Sequence, residues 1–311
     1  MAETPQLVKP WLVAVWPGMG NVALNAGIYL LAKLNMTMIA EVAVNELFDV
    51  EHVEVKGGLV QLGRRPRNRF FVWKDPHQKH DLVVFLGEAQ PPIGRYAFCK
   101  QLVGYAQQLG VERVFTFAAM ATQMHPEHES SVFVAATDQE TLDELQGIEL
   151  VLLEDGNIGG LNGVLLGVAK ESELHGACLL GEMPHIFSQL PFPKASLAIL
   201  KIFTSLAGIE LDFTELNEQA DAMEEQLGEL LERVQEAYGK QFGEQEEEES
   251  FKAEPVEEER VSASDRRKIE QLFEEAEKNR AKAFELKQVL DRLEVFKEYE
   301  DRFLDLFKKS E

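Results

Sequence analysis

The 311-residue sequence predicts an α/β fold: a mostly parallel sheet flanked by helices, followed by a C-terminal α-helical extension. Three observations carry this. Short, continuous apolar runs such as WLVAV and DLVVF have strand length and no polar face, as strands buried on both sides do. Between them lie segments whose apolar residues recur at three- and four-residue steps, the spacing of one helix face. After about Thr214 the chain turns acidic while keeping helical spacing.

Residues 11–16 (WLVAVW) end at Pro17-Gly18 and read as a buried strand, and 21–34 follow as a helix with Ala23, Ala26, Leu30 and Leu34 on one face. TMIAEVAV (37–44) is a second strand. Between Phe48 and Trp73 the segments HVEVKG, GLVQLG and NRFFVWK alternate and are split by glycines, which predicts β-hairpins added to the core. DLVVFLGEAQ (81–90) is a strand, 96–109 a helix ending at Gly110, and VERVFTFAAMA (111–121) a strand. SSVFVAAT, TLDELQ and IELVLLE give strand, short helix and strand. A glycine-rich turn, DGNIGGLNG, then opens a helix, ACLLGEMPH forms a strand, and 194–207 another helix.

From Thr214 to about Gln241 the spacing predicts one amphipathic helix. Residues near 243–262 are acidic and apolar-poor, which predicts an extended linker. A helix starting near 263–265 follows. In it Ile269, Leu272, Ala276, Asn279, Ala283, Leu286, Leu290 and Leu293 trace a heptad seam, continued by Phe296, Tyr299, Phe303 and Phe307. That seam suits a coiled coil with a partner or a second copy, or packing against the chain's own core. Two domains are expected, 1–215 and 216–311.

Composition narrows the function. Apolar residues make up 45% of the chain, enough for a sizeable core, and the net charge is −23, from 54 acidic and 31 basic residues. Such a surface repels phosphate backbones and anionic lipid, so neither nucleic acid nor membrane is an expected partner. The start, MAETPQLVKP, lacks the basic and apolar regions of a signal peptide, and no run reaches membrane-spanning length. Cys99 and Cys178 are distant in sequence and read as small buried residues of a cytoplasmic protein.

The sharpest motif is WPGMGNVALNAG, where Gly18, Gly20 and Ala23 match the G-x-G-x-x-A spacing of a dinucleotide phosphate loop. Glycine lets the backbone approach a pyrophosphate, and a helix start supplies free N–H groups. Glu41, about 20 residues on, stands where an acid would hold a ribose hydroxyl. Against this, Pro17 sets a turn that needs no ligand, and strand-like sequence continues past Glu41. A plain turn, an anion site and a dinucleotide site all remain open. A second stretch, 157–163 (NIGGLNG), has the same form. Two such turns at one end of a sheet make the crevice where α/β folds hold ligands. Gly18, Gly20, Asn21, Gly159, Gly160 and Asn162 are therefore the candidate ligand-binding residues, with Glu41, Glu88 and Glu182 at strand ends beside them, although a solvated loop residue is the simpler reading of each acid. His77 and His80 flank a loop. His125-Pro126-Glu127-His128 hints at zinc, but its spacing is short by one and Pro126 stands where a ligand helix would run, so a surface loop is the simpler reading. No metal, cofactor or catalytic set is predicted.

WPGMGNVALNAGIYLLAKL, DLVVFLGEAQPP, GYAQQLGVERVFTFAAMATQMHP and GNIGGLNGVLLGVAKESELHGACLLGEMPH, in that order, resemble the proteasome assembly chaperone 2-like family over roughly residues 8–216. The family's motif positions fall on Gly18, Gly20, Asn21, Gly159, Gly160, Asn162, Gly163 and Glu182. The resemblance implies a single core similar to that of purine nucleoside phosphorylases, and a role in assisting 20S proteasome assembly in archaea and eukaryotes. It brings no catalytic set. Some relatives carry an ATP-grasp label, yet the lysines and carboxylate cluster of such a ligase form no coherent set here. Archaeal members can engage the proteasome through a hydrophobic–tyrosine–any tail; this chain ends LFKKSE and departs from that pattern. The reading is a non-enzymatic, cytoplasmic, homo-oligomeric protein that binds other proteins as an assembly chaperone does. The alternative is an enzyme or binding protein for a nucleoside, nucleotide or phosphorylated metabolite, with its site between the two glycine turns.

Overall fold

The computed structural model describes residues 5–42, 45–48, 53–63, 65–145, 147–242 and 263–278, with residues 282, 286, 289, 290, 293, 295, 299, 302, 303 and 306. The predicted acidic linker lies outside them. The chain divides into two compact units, Met1–Gly243 and Glu244–Glu311.

In the first unit the chain runs β1 (Trp11–Val15), α1 (Val22–Lys33), β2 (Thr37–Glu41), β3 (Val53–Lys56), β4 (Leu59–Leu62), β5 (Asn68–Trp73), β6 (Leu82–Gly87) and α2 (Arg95–Gln108). It continues through β7 (Arg113–Thr122), β8 (Val132–Ala136), α3 (Gln139–Glu144), β9 (Val151–Leu152), α4 (Gly160–Glu171), β10 (His175–Pro184), α5 (Pro193–Ala207) and α6 (Thr214–Phe242). Eight strands form one sheet in the order β2-β5-β6-β1-β7-β10-β8-β9, and β3 pairs with β4 alone.

The four central strands β6, β1, β7 and β10 are mutually parallel, which is the predicted parallel core. The flanks are antiparallel: β5 runs against β6, β2 against β5, and β8 against β10. The segment NRFFVWK, expected as part of an added hairpin, is β5, inserted into the main sheet between β2 and β6. Of the strand predicted over IELVLLE, only Val151 and Leu152 pair, at the exposed sheet edge.

The period of two in β1 decides the layers. Trp11, Val13 and Val15 point to one face and pack with α1 and α5 residues such as Leu30, Ile199 and Phe203. Leu12, Ala14 and Trp16 point to the other, where α2 and α4 supply Phe98, Leu102, Leu161 and Leu165. Both faces are covered, so β1 carries no polar residue at all. α6 lies along α5 and seals the first face through Leu216, Ala220 and Leu227.

In the second unit, α7 (Ala263–Lys278) starts where the sequence places it. Its seam residues Ile269, Leu272 and Ala276 are buried together with Phe273, Leu286, Leu290 and Phe303. Arg302 donates two hydrogen bonds to Glu270, at 2.7 and 2.8 Å. Of the predicted seam, Asn279, Ala283, Phe296 and Phe307 lie outside the described residues.

Candidate functional site

The parallel strands β1, β7 and β10 all end on one side of the sheet, and there the two glycine turns meet. They enclose a cleft of about 450 Å³ lined by Trp16 to Met19, Ala23, Gln90, Ala118 to Ala121, residues 157–160, Asn162 and Leu180. Of the residues singled out from the sequence, Gly18, Gly159, Gly160 and Asn162 face this cleft.

The first turn is held from outside. Gly20 sits at φ +59° in the left-handed region, and Asn21 at +50°, which Asn tolerates better than other side chains do. The Gly20 N–H donates to Ser188 O (2.9 Å), and the Phe192 N–H donates to Gly20 O (2.9 Å). The first turn is thus stitched to the segment between β10 and α5. Gly20 is also pressed against Met183, so it belongs to the wall of the fold and not to the cleft lining. Asn21 is exposed.

The second turn is held by a residue that sequence reasoning missed. The Gln90 side chain accepts from the Leu161 N–H (3.2 Å) and donates from Nε2 to Pro17 O (3.2 Å). One amide therefore bridges both turns and takes up an N–H of the first turn of α4. The local signal was only the motif GEAQPP, whose glutamine has no spacing rule pointing across the sheet. Asn162, in the same helical turn, keeps its Oδ1 buried and without a hydrogen-bond partner. Trp16 Nε1, on the same cleft, is likewise buried without a partner, so among the described residues the lining offers one unpartnered side-chain acceptor and one unpartnered donor.

The three strand-end acids go elsewhere. Glu41 and Glu88 flank Arg69, with Nε 3.3 Å from Glu41 and Nη2 3.1 Å from Glu88, and Glu88 also accepts from the Arg67 N–H at 3.0 Å. Because β5 and β6 stand between β2 and β1, Glu41 is three strand spacings from β1, roughly 14 Å, too far to serve a ligand held on the first turn. Glu182 accepts from Thr122 Oγ1 at 2.8 Å and ties β10 to β7.

Beneath the cleft, Cys178 packs with Leu166 and Leu180, and burial pushes its thiol up to about 12, so it stays protonated and inert. The His125–His128 loop is fixed by its carbonyls. The buried Lys194 ammonium donates to Pro126 O (3.0 Å) and His128 O (3.1 Å) and pairs with Glu224. His80 stacks flat on Trp11, with centroids 4.1 Å apart, and its Nε2 lies 2.7 Å from Ala207 O. Among the described residues, no cluster of His, Cys, Asp and Glu is placed to hold a metal ion, and no helix is long and apolar enough to cross a membrane.

Comparison with known proteins fits this architecture. The chain is similar to PbaB of Pyrococcus furiosus, described as an archaeal proteasome activator, with a TM-score of 0.62 and 27% identity over 75% of this chain and 96% of that one. A proteasome-assembly chaperone homologue of Mycobacterium tuberculosis has a TM-score of 0.61 at 21% identity, covering 71% of this chain and 94% of that one, a likeness of fold. An uncharacterized protein of Methanocaldococcus jannaschii is 30% identical over 159 residues, 50% of this chain; the match spans only 59% of that relative's length. The model of the PAC2 family matches residues 12–231, close to the limits that the sequence resemblance set. With more than half of its length matched, the chain belongs to the PAC2 family.

Proposed function

We propose that this protein is a non-enzymatic, assembly-chaperone-like member of its family, which acts in the cytoplasm as a homo-oligomer by binding protein partners, without a cofactor. The observation that carries the reading is at the strand-end rim. Met19 at the cleft, and Ile93, Ile186 and Leu190 on the segments that follow β6 and β10, are large apolar side chains that stand exposed, and the lining of the cleft contains no ionisable side chain. Exposed apolar side chains gathered at one rim mark a surface that other proteins cover. The likeness to an archaeal proteasome activator, at 27% identity, supports a partner of the proteasome kind. The net charge of −23 supports protein over nucleic acid or an anionic membrane. The test is crosslinking and affinity capture of the full chain from native cytoplasm, beside native mass spectrometry. A partner captured by the wild type and lost with Ile93→Asp plus Ile186→Asp supports the reading. A strictly monomeric chain that captures nothing overturns it.

A second reading rests on the unpartnered Asn162 Oδ1: a small ligand with a hydrogen-bond donor, such as a nucleoside, a nucleotide or a phosphorylated metabolite, seated between the glycine turns. A ligand at 100 times its dissociation constant stabilises by about 2.7 kcal/mol, easily seen in a thermal shift panel. No shift with any of these ligands, or a shift that survives Asn162→Leu unchanged, removes this reading.

A further inference from the structure

The main sheet ends at β9, and among the described residues no strand pairs with its outer edge. On the inner side the Leu153 N–H donates to Val134 O (2.9 Å), so strand alternation turns the N–H and C=O of Leu152 outward. Leu150 and Glu154 lie in the same phase, two residues to either side, and among the described residues neither N–H has a backbone partner. Such a row of open groups is a template for one more strand. The side chains beside it are apolar and bare: Val151 is 43% exposed and Leu152 55%. The surface around them is hollow. Ile148 and Leu150 line a groove of about 560 Å³ together with Leu197 and Ile202 of α5. A smaller hollow of about 270 Å³ lies at Leu152, walled by Val134, Leu142 and Leu145. An added strand takes its affinity from backbone pairing and its specificity from hollows of this kind.

Charge selects what that strand carries. Glu129 and Glu149 line the groove, and Glu154 and Asp155 follow β9 directly. All four are exposed, and among the described residues none has an ion pair or hydrogen bond through its carboxylate. Of the two lysines on the groove, Lys194 is paired with Glu224, which leaves Lys201 alone against the four acids. A second copy is a poor occupant. Pairing β9 with itself, antiparallel about Leu152, sets Glu149 opposite Asp155 at both ends of the contact, and like charges directly opposite are destabilising. The same carboxylates welcome a strand that brings lysine or arginine to those places.

We infer that β9 is a docking strand for an extended segment of a partner protein, with apolar residues opposite Val151 and Leu152 and basic residues on either side of them. The inference rests on the protein-binding reading above and names the chemistry of the partner. The backbone edge requires an extended chain, since a helix has no free N–H and C=O groups along its side to offer. The apolar pair and its hollows fix the middle of that segment, and the four acids fix its flanks.

The test titrates the full chain into dye-labelled peptides and reads fluorescence anisotropy. The peptide Lys-Lys-Val-Val-Val-Lys-Lys, blocked at both ends, should bind. Glu-Glu-Val-Val-Val-Glu-Glu, and Lys-Lys-Val-Pro-Val-Lys-Lys with its central N–H removed, should each bind at least about tenfold more weakly. Leu152→Pro should abolish binding and leave the protein folded, because the N–H it deletes points away from β8. Glu149→Lys with Glu154→Lys, both at exposed positions, should reverse the preference, so that the acidic peptide binds better than the basic one. No binding of the basic peptide, equal binding of the basic and acidic peptides, binding that survives L152P in a folded protein, or a preference that the charge reversal leaves in place overturns the docking strand. If a cytoplasmic partner is captured by L152P as by the wild type, and lost with Ile93→Asp plus Ile186→Asp, the contact at β9 fails while the protein-binding reading stands.

Discussion

Gly20 and Gly160 occupy corresponding places in two turns of similar spelling, both in the left-handed region at +59° and +67°, yet different neighbours hold them. Around Gly20 the backbone itself is bonded, to Ser188 and Phe192, and the space beside its Cα is filled by Met183. Around Gly160 the nearest group is the Gln90 amide, a side chain that could move. The first turn is part of the framework that fixes α5. The second is backed on its cleft side by one glutamine side chain and carries the unpartnered Asn162 oxygen. Motif spelling reports that a turn is tight. What the turn serves depends on which groups stand beyond it.

The comparison breaks first, and hardest, at Gly163, inside α4. A Cβ there would lie 1.9 Å from the Ile158 carbonyl oxygen, backbone that cannot step aside. Gly163→Ala should cost about 3 kcal/mol in urea unfolding, the upper range for overpacking. If it costs nothing, the second turn is far looser than its geometry implies. Gly20→Ala comes next, at about 2 kcal/mol: the left-handed φ costs a side chain about 1–2 kcal/mol, and the Met183 methyl, 2.8 Å from the new Cβ, has to swing away. Its neighbour gives an internal control. At φ +50°, Asn21→Gly should be neutral, and Asn21→Ala should lose about 1 kcal/mol.

Gln90→Ala sharpens the contrast. It removes the bridge between the turns and leaves the Leu161 N–H and Pro17 carbonyl to water, for about 1 kcal/mol. The more telling readout is hydrogen exchange. Amides at the start of α4 should lose protection, while the Gly20 amide, bonded to Ser188, should keep it. Equal loss at both turns would mean that the framework role assigned to the first turn is wrong.

The sequence made the central layers legible because a strand buried on both faces and an amphipathic helix each have a local signature. The helix predicted over 21–34 is Val22–Lys33, and that over 96–109 is Arg95–Gln108. Strand order has no such signature. Nothing in NRFFVWK tells that Phe70 and Val72 pack inward from a strand lying between β2 and β6, and that insertion is what removes Glu41 from the first turn. The candidate site divides the same way. Gly18, Gly159, Gly160 and Asn162 were found through the backbone demands of a turn, which are local. Gln90, Met183 and Ser188 act across the sheet and could not be found so.

The smallest effects are the strictest test of this division. Gly18 and Gly159 both face the cleft, and a Cβ at either position meets no atom within 4 Å. Gly18 has φ −165° and Gly159 φ −76°, extended backbone open to any residue. Gly→Ala at such a site narrows the unfolded ensemble and should change stability by no more than about 0.5 kcal/mol, with a small gain as the favoured sign. Each methyl nevertheless projects into the cleft. If a small ligand occupies it, G18A and G159A should weaken that ligand's thermal shift while leaving the unliganded melting temperature where it was. If the cleft is only the seam between two turns, neither variant changes partner capture, assembly or melting. A loss of stability at both positions would show that the cleft closes in solution and that the two turns pack directly on each other, erasing the difference between them.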